Sequence, residues 1–243
     1  MPRETFNYEL SRTEADVLAL GHMVQSAIVD AVEALRRQDH NTARRIIRDD
    51  LHVNACRYKI EHDCLRLIAT QQPMARDLRI LSAMLAISVE LERIHDYAKG
   101  IGKITLLIGS DPLIKPLLEL PEMAHKAQTM LHQAMLAFAR RDVQMARAIP
   151  LEDDEVDALY NKLYREVFTS VLNEPTFMEQ GSYLLWAGHN LERTADRVTN
   201  ICERIVFTVT GQMVELDTNN DINVDLSPTS KVTPIQTQSG SFK

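Results

Sequence analysis

The chain has 243 residues and a formal charge of -7, which gives no general attraction to nucleic acid or anionic lipid and excludes DNA binding. Aromatics are only 5% and Gly and Pro number 8 and 9, while Leu, Ala, Ile, Val and Met abound; that balance favours helices over a β-sandwich or barrel. Cys56, Cys64 and Cys202 form an odd set without CxxC spacing, so they read as reduced thiols rather than a disulfide framework or a zinc site.

The amino terminus, Met1-Pro2-Arg3-Glu4-Thr5-Phe6, lacks the apolar run of a secretory signal, and no stretch of 18 apolar residues occurs. The expectation is a cytoplasmic protein with no direct membrane insertion. From about Glu9 to Gln38, Val17, Leu20, Val24, Ile28, Ala31 and Leu35 recur at intervals of three and four, the mark of an amphipathic helix. Asp39-His40-Asn41-Thr42 supplies turn and N-cap residues, and a second helix follows to about Ala69. Thr70-Gln71-Gln72-Pro73 ends it, because proline disfavours helical geometry in the residue before it and suits the first turn of the next helix. The third helix, about Met74 to Leu107, stops at Gly109-Ser110-Asp111-Pro112.

The pattern then restarts. A shift of 103 lays Gln25 on Gln128, Asp39 on Asp142, Ala43 on Ala146, Arg44 on Arg147, Asp50 on Asp153 and Lys59 on Lys162, among nine identities. Past the second turn the shift becomes 100 and aligns Leu91-Glu92-Arg93-Ile94-His95-Asp96 with Leu191-Glu192-Arg193-Thr194-Ala195-Asp196. The reading is all-α: two tandem three-helix bundles, six long antiparallel helices joined by short loops. The first repeat spans residues 1–109, the second 110–212, and a Ser, Thr, Pro and Gln-rich tail over 213–243 is expected to be disordered.

Both Leu-Glu-Arg-x-x-Asp copies put a Glu and an Asp four apart, on one helix face. At 100° per residue Glu92 and Asp96 share a stripe with Leu78, Leu81 and Leu85, and Asp153 and Asp157 share one with Tyr160, Tyr164, Val167 and Val171. Counting outward from hairpins centred near Gln72 and Glu174 sets Asp50 level with about Ile94, and Asp153 and Asp157 beside Asp196 and Glu192. Each repeat therefore gathers an acidic patch: Asp50, Glu92 and Asp96 in the first, Asp153, Asp157, Glu192 and Asp196 in the second. Such carboxylates repel unless protonated, solvated or bridged by cations. Oxygen donors suit Mg, Mn or Fe ions, with Zn the poorer fit.

Gln71-Gln72-Pro73-x-Ala75-x-Asp77-Leu78-Arg79, followed by Leu91-Glu92-Arg93-x-x-Asp96 and its copy, resembles the PhoU family from about Thr5 to Gly211. The resemblance implies tandem three-helix bundles, multinuclear metal clusters on Glu/Asp-x-x-x-Asp motifs, and a non-enzymatic role. It further implies a homodimer that works with the Pst phosphate transporter through its ATPase PstB, and with the sensor histidine kinase PhoR, as negative regulator of the phosphate-starvation response. The motif positions carried over are Glu92 and Asp96, Glu192 and Asp196, and Asp153 and Asp157; Asp50 matches, but Asn54 stands where an acid is expected.

Two rivals follow from the same residues. A ferritin-like di-iron protein needs two facing Glu-x-x-His motifs, which Glu92-Arg93-Ile94-His95 and Glu122-Met123-Ala124-His125 spell out. A metal-free helical adaptor would leave the patches solvated. His22, His132 and His189 read as surface or interface residues, Met84, Met130 and Met135 as core, and Arg44 and Arg147 as capping or salt-bridging groups. No nucleophile with a base, phosphate loop or dinucleotide fingerprint is present in the sequence.

Overall fold

A computed structural model of the chain describes residues 3–114 and 118–216. Within them lie α1 (Arg3–Arg37), α2 (His40–Gln71), α3 (Arg76–Ile108), α4 (Glu119–Arg140), α5 (Val143–Ala148), α6 (Asp153–Asn173) and α7 (Met178–Thr210), and no strand. The six long helices match the sequence reading.

Cap chemistry sets four boundaries. Asp39 accepts from the Asn41 and Thr42 amides at the start of α2, and its repeat partner Asp142 accepts from Met145 at the start of α5, satisfying amides that lack intrahelical partners. Gly109 and Gly211 close α3 and α7 at φ 67° and 76°, where a side chain would be strained. Two boundaries differ from expectation. α1 begins at Arg3, earlier than Glu9, because Phe6 and Leu10 extend its buried stripe and Arg3 pairs with Asp77 at 2.8 Å. The helix equivalent to α2 is interrupted after α5 by a 3-10 turn at Ile149–Glu152, since Pro150 has no N–H and its ring opposes the preceding turn's carbonyl.

α1, α3, α7 and α4 pack as a ring in which each touches the next; α2 lies against α1 and α3, and α6 against α4 and α7. One continuous core runs through both repeats, and Met84, Met130 and Met135 sit in it as expected. Among the described residues α3 and α4 do not touch, which corrects the expectation that sequence neighbours pair throughout: the connection from Gly109 carries the chain across the ring's diagonal. α1 is long and apolar enough to cross a membrane, but Val17, Leu20, Val24 and Leu35 are buried in the core.

α1 runs antiparallel to α4 of the other repeat, whereas α1 and α3 run parallel, Arg3 meeting Asp77 and Gln38 meeting Gly109. Glu14 pairs with Arg141, and the Gln128 side-chain amide donates to the Gln25 carbonyl at 3.4 Å. The tail expected over 213–243 lies mostly outside the described residues; its start does not behave as a polar tail. Val214 and Leu216 pack on the core, and the Leu216 amide donates to Glu203 at 3.0 Å.

Candidate metal centre

Asp50 on α2 is buried, at 9% exposed, against α3, because Gly102 lets the two backbones close up at Ala43 and sets the register of the pair. That register brings Asp50 within reach of His95 and Lys99, a turn from the level counted out from the hairpin. The Lys99 ammonium donates to Asp50 Oδ2 at 2.7 Å and to Asp96 Oδ1 at 3.2 Å, bridging the two helices. Asn54 Nδ2 donates to the same Asp50 oxygen at 3.3 Å. His95, 2% exposed, holds Nδ1 at 3.7 Å from Asp50 Oδ1, beyond hydrogen-bond range, and that nitrogen has no hydrogen-bond partner among the described residues.

In the first repeat the charges of Asp96 and Asp50 act on Glu92. Burial pushes the Glu92 carboxyl above its usual range, and the neighbouring Asp96 and Asp50 charges add to that, against Arg57 and Arg93. Burial pulls the His95 imidazole below its ordinary value, while Asp50 and Asp96 pull the other way and lose. For Lys99 the balance is reversed: burial disfavours its charge, but hydrogen bonds to Asp50 and Asp96 outweigh that and hold it above the usual lysine range.

In the second repeat Glu192 accepts from or shares a proton with His189 Nδ1 at 2.7 Å, and Arg193 Nε lies 3.7 Å from Asp196 Oδ2. Tyr160 of α6 stands beside Glu192: burial first, then that carboxylate, raises its phenol above the ordinary tyrosine value. Gly188 is what admits Tyr160 and Leu163 so close to α7. Asp153 and Asp157 stand one turn apart on α6, on the N-terminal side of Tyr160.

Glu92 and Asp96 do not lie on the buried face that the shared stripe implies, although Leu81 of that stripe is fully buried. Glu92 is half-buried and Asp96 exposed, Leu78 is 42% exposed, and Tyr164 47% exposed, so the acids line the margins of grooves between helices rather than the buried faces. The apolar stripe of α3 runs instead through Met84, Ile87, Leu91 and Ile94. Among the described residues no three carboxylate, imidazole or thiol groups already close on one point at metal-ligation geometry. The sequence reading missed Lys99, Tyr160 and the contact of His189 with Glu192. Lys99 was findable, since Glu92, Asp96 and Lys99 at i, i+4 and i+7 share a face. The ferritin-like arrangement fails on geometry: α3 and α4 do not meet, and Glu122 and His125 are surface residues.

Between the patches, α3 and α7 cross on a polar seam. Arg197 reaches Glu90 at 3.5 Å and the Tyr97 hydroxyl at 3.4 Å, and Asn190 fills the space above Gly100.

The fold and its acidic grooves define a class: a duplicated all-helical scaffold with matching carboxylate motifs on its two halves. Residues 17–105 and 120–205 each match the PhoU domain, and the chain belongs to the PhoU family. A relative from Caulobacter vibrioides, a phosphate-specific transport system accessory protein PhoU homolog, is 35% identical over 210 residues, covering 86% of this chain and 91% of the relative. The crystal structure of the phosphate transport system regulatory protein PhoU from Streptococcus pneumoniae superposes with a TM-score of 0.80 at 31% identity, covering 86% of this chain and 99% of that one. PhoU from Pseudomonas aeruginosa gives a TM-score of 0.80 at 30% identity over 85% of this chain and 100% of its own.

Proposed function

We propose that this chain is an accessory and regulatory protein of a phosphate-specific transport system, acting by contact with other proteins and not as an enzyme. The observation that carries the reading is the double PhoU match, supported by relatives of that description aligned over nearly their whole length. In this reading it is a cytoplasmic homodimer that engages the transporter ATPase PstB and the sensor kinase PhoR and damps the phosphate-starvation response when phosphate is ample.

Carboxylates tied to a metal ion belong to the same reading. In the second repeat Asp153, Asp157, Glu192 and Asp196 offer an all-oxygen, multiply charged donor set that suits Mn, Mg or Fe, with Zn a poorer match. A bound cation would supply positive charge that links α6 to α7. Arg193 and His189 then act around it, restraining Asp196 and Glu192.

The test is genetic and biochemical together. Deleting the gene in its native host should switch on a phosphate-starvation reporter in phosphate-rich medium, and restoring the chain should silence it. Purified chain should co-elute with the transporter ATPase or the kinase. A reporter indifferent to the deletion, with no co-elution, would end this reading.

A further inference from the structure

We propose that the cleft between α1 and α2 beside His95 binds a small aliphatic amine with a hydrogen-bonding group at its far end, the ligand's ammonium taking the place that a lysine fills in the second repeat. The inference is independent of the metal reading and starts from a break in a regular pattern of ion pairs.

α1 and α2 are clipped together by Arg45 with Asp30 at 2.7 Å, by Lys59 with Asp16, and by Arg66 with Glu9 at 2.8 Å. The α2 members belong to the series 45, 52, 59, 66 and the α1 members to 30, 23, 16, 9. Each step is seven residues, about two turns, so each series keeps to one helix face. One rung lacks its ion pair: His52 stands level with Met23, which carries no charge. The 103-residue shift lays Lys126 on Met23 and Glu155 on His52, and in the second repeat that rung is made, Lys126 pairing with Glu155. The neighbouring rung exists in both repeats, Lys162 with Glu119 at 3.1 Å matching Lys59 with Asp16.

At the open rung lies a cleft of about 380 Å³, within the size range of small-molecule sites. Met23, Ala27, Ile46 and Val53 give it carbon walls, Asp49 stands on its α2 side, and His95 of α3 closes its inner end. Asp49 makes no ion pair among the described residues. Its second-repeat counterpart, Glu152, acts on the Lys126 ammonium, so the first repeat keeps the carboxylate and has lost the cation. Asp30 is already matched by Arg45, which leaves Asp49 as the unmatched charge of the lining and favours a cation over an anion. His95 is 2% exposed and its Nδ1 has no hydrogen-bond partner among the described residues, whereas Ala195 stands at its counterpart. Buried polar groups are normally satisfied, so an unpartnered imidazole at the end of a cleft points to an occupant. An ammonium at Asp49, a short carbon chain along the walls and a hydroxyl at the imidazole would answer all three features.

The experiment titrates the full chain, labelled with ¹⁵N-histidine, with aminopentanol at about pH 8, where free imidazole is neutral, and follows the ring signals by NMR. The His52 and His95 signals should shift saturably while those of His125 and His132, on α4, stay in place. Pentylamine, which lacks the hydroxyl, should bind about three- to tenfold more weakly, and hydroxypentanoate, with the charge reversed, should not shift the signals. Asp49→Asn should weaken aminopentanol by about fivefold. Met23→Lys with His52→Glu, which copies the second repeat's rung into the first, should abolish the His95 shift, with circular dichroism confirming the fold. Shifts that never saturate, equal shifts from hydroxypentanoate, or wild-type binding by either the Asp49→Asn chain or the Met23→Lys, His52→Glu chain would overturn the proposal.

Discussion

Arg197 Nε lies 3.4 Å from the Tyr97 hydroxyl, and the two residues are the same position in the two repeats, one hundred apart. Gln25 and Gln128, equivalent under the 103-residue shift, touch on the opposite side of the ring at 3.4 Å. Equivalent residues can meet only on a rotation axis, so an internal pseudo-two-fold runs from the α1–α4 contact to the α3–α7 seam. The two acidic patches flank that axis as a related pair.

The seam should contribute measurably to stability. Arg197 and Glu90 are 16% and 17% exposed at the side chain, so Arg197→Met strands a half-buried carboxylate. The contacts are long, and the expected loss is about 1 kcal/mol. In thermal denaturation, Glu90→Gln combined with Arg197→Met should cost less than the two single losses added together. Strict additivity would show that the pair is not coupled.

The glycines at the helix crossings should respond oppositely to alanine. A Cβ on Gly188 would stand 2.6 Å from Leu163 Cδ2 and 3.0 Å from the Tyr160 ring, in packed apolar surroundings. Overpacking of that kind costs about 1–3 kcal/mol and exceeds the gain in helix propensity. At Gly100 the close atom is the far end of Asn190 at 2.9 Å, which can rotate away. Gly188→Ala should lower the melting temperature by several degrees, about 2–4 °C per kcal/mol, and Gly100→Ala should leave it nearly unchanged.

Ala75, at the start of α3, holds φ 50° and ψ -112°, a region that side chains avoid. Ala75→Gly should therefore stabilise the fold by about 1 kcal/mol in chemical denaturation, despite glycine's greater freedom when unfolded. A loss of stability would show that the loop after Gln72 relaxes to an ordinary conformation in solution.

Thiol reactivity should separate the cysteines. Burial pushes the Cys64 thiol up to about 12 and the Cys202 thiol higher still, while Cys56 is raised by burial and by Asp16 yet remains half-open. At pH 8 a thiol with that Cys64 value is ionised to about one part in ten thousand. A thiol reagent should modify Cys56 slowly in the native chain and the other two only after denaturant is added. Rapid native labelling of Cys64 or Cys202 would contradict their place in the core.

Helix placement was legible because three- and four-residue spacing survives in every long helix, and because Asp39 and Asp142 announce their caps. In the first repeat Asp50 is joined to Asp96 through Lys99, within about a turn of the level that counting from Gln72 gives. What the counting could not supply was the ring. Which helix lies beside α3 depends on burial shared among four helices, and nothing local in the 109–118 connection says that α3 will pair with α7 instead of α4. The break at Pro150 was readable from the proline alone. Lys99 was less legible, because clustered carboxylates point to a cation from outside and do not show that the chain supplies one.

The most direct measurement is anomalous X-ray scattering from crystals of the full chain grown with Mn²⁺. The metal reading expects a manganese peak at one or both acidic sets, Asp153, Asp157, Glu192 and Asp196 or Asp50, Glu92 and Asp96. An anomalous map without a manganese peak at either set would contradict it.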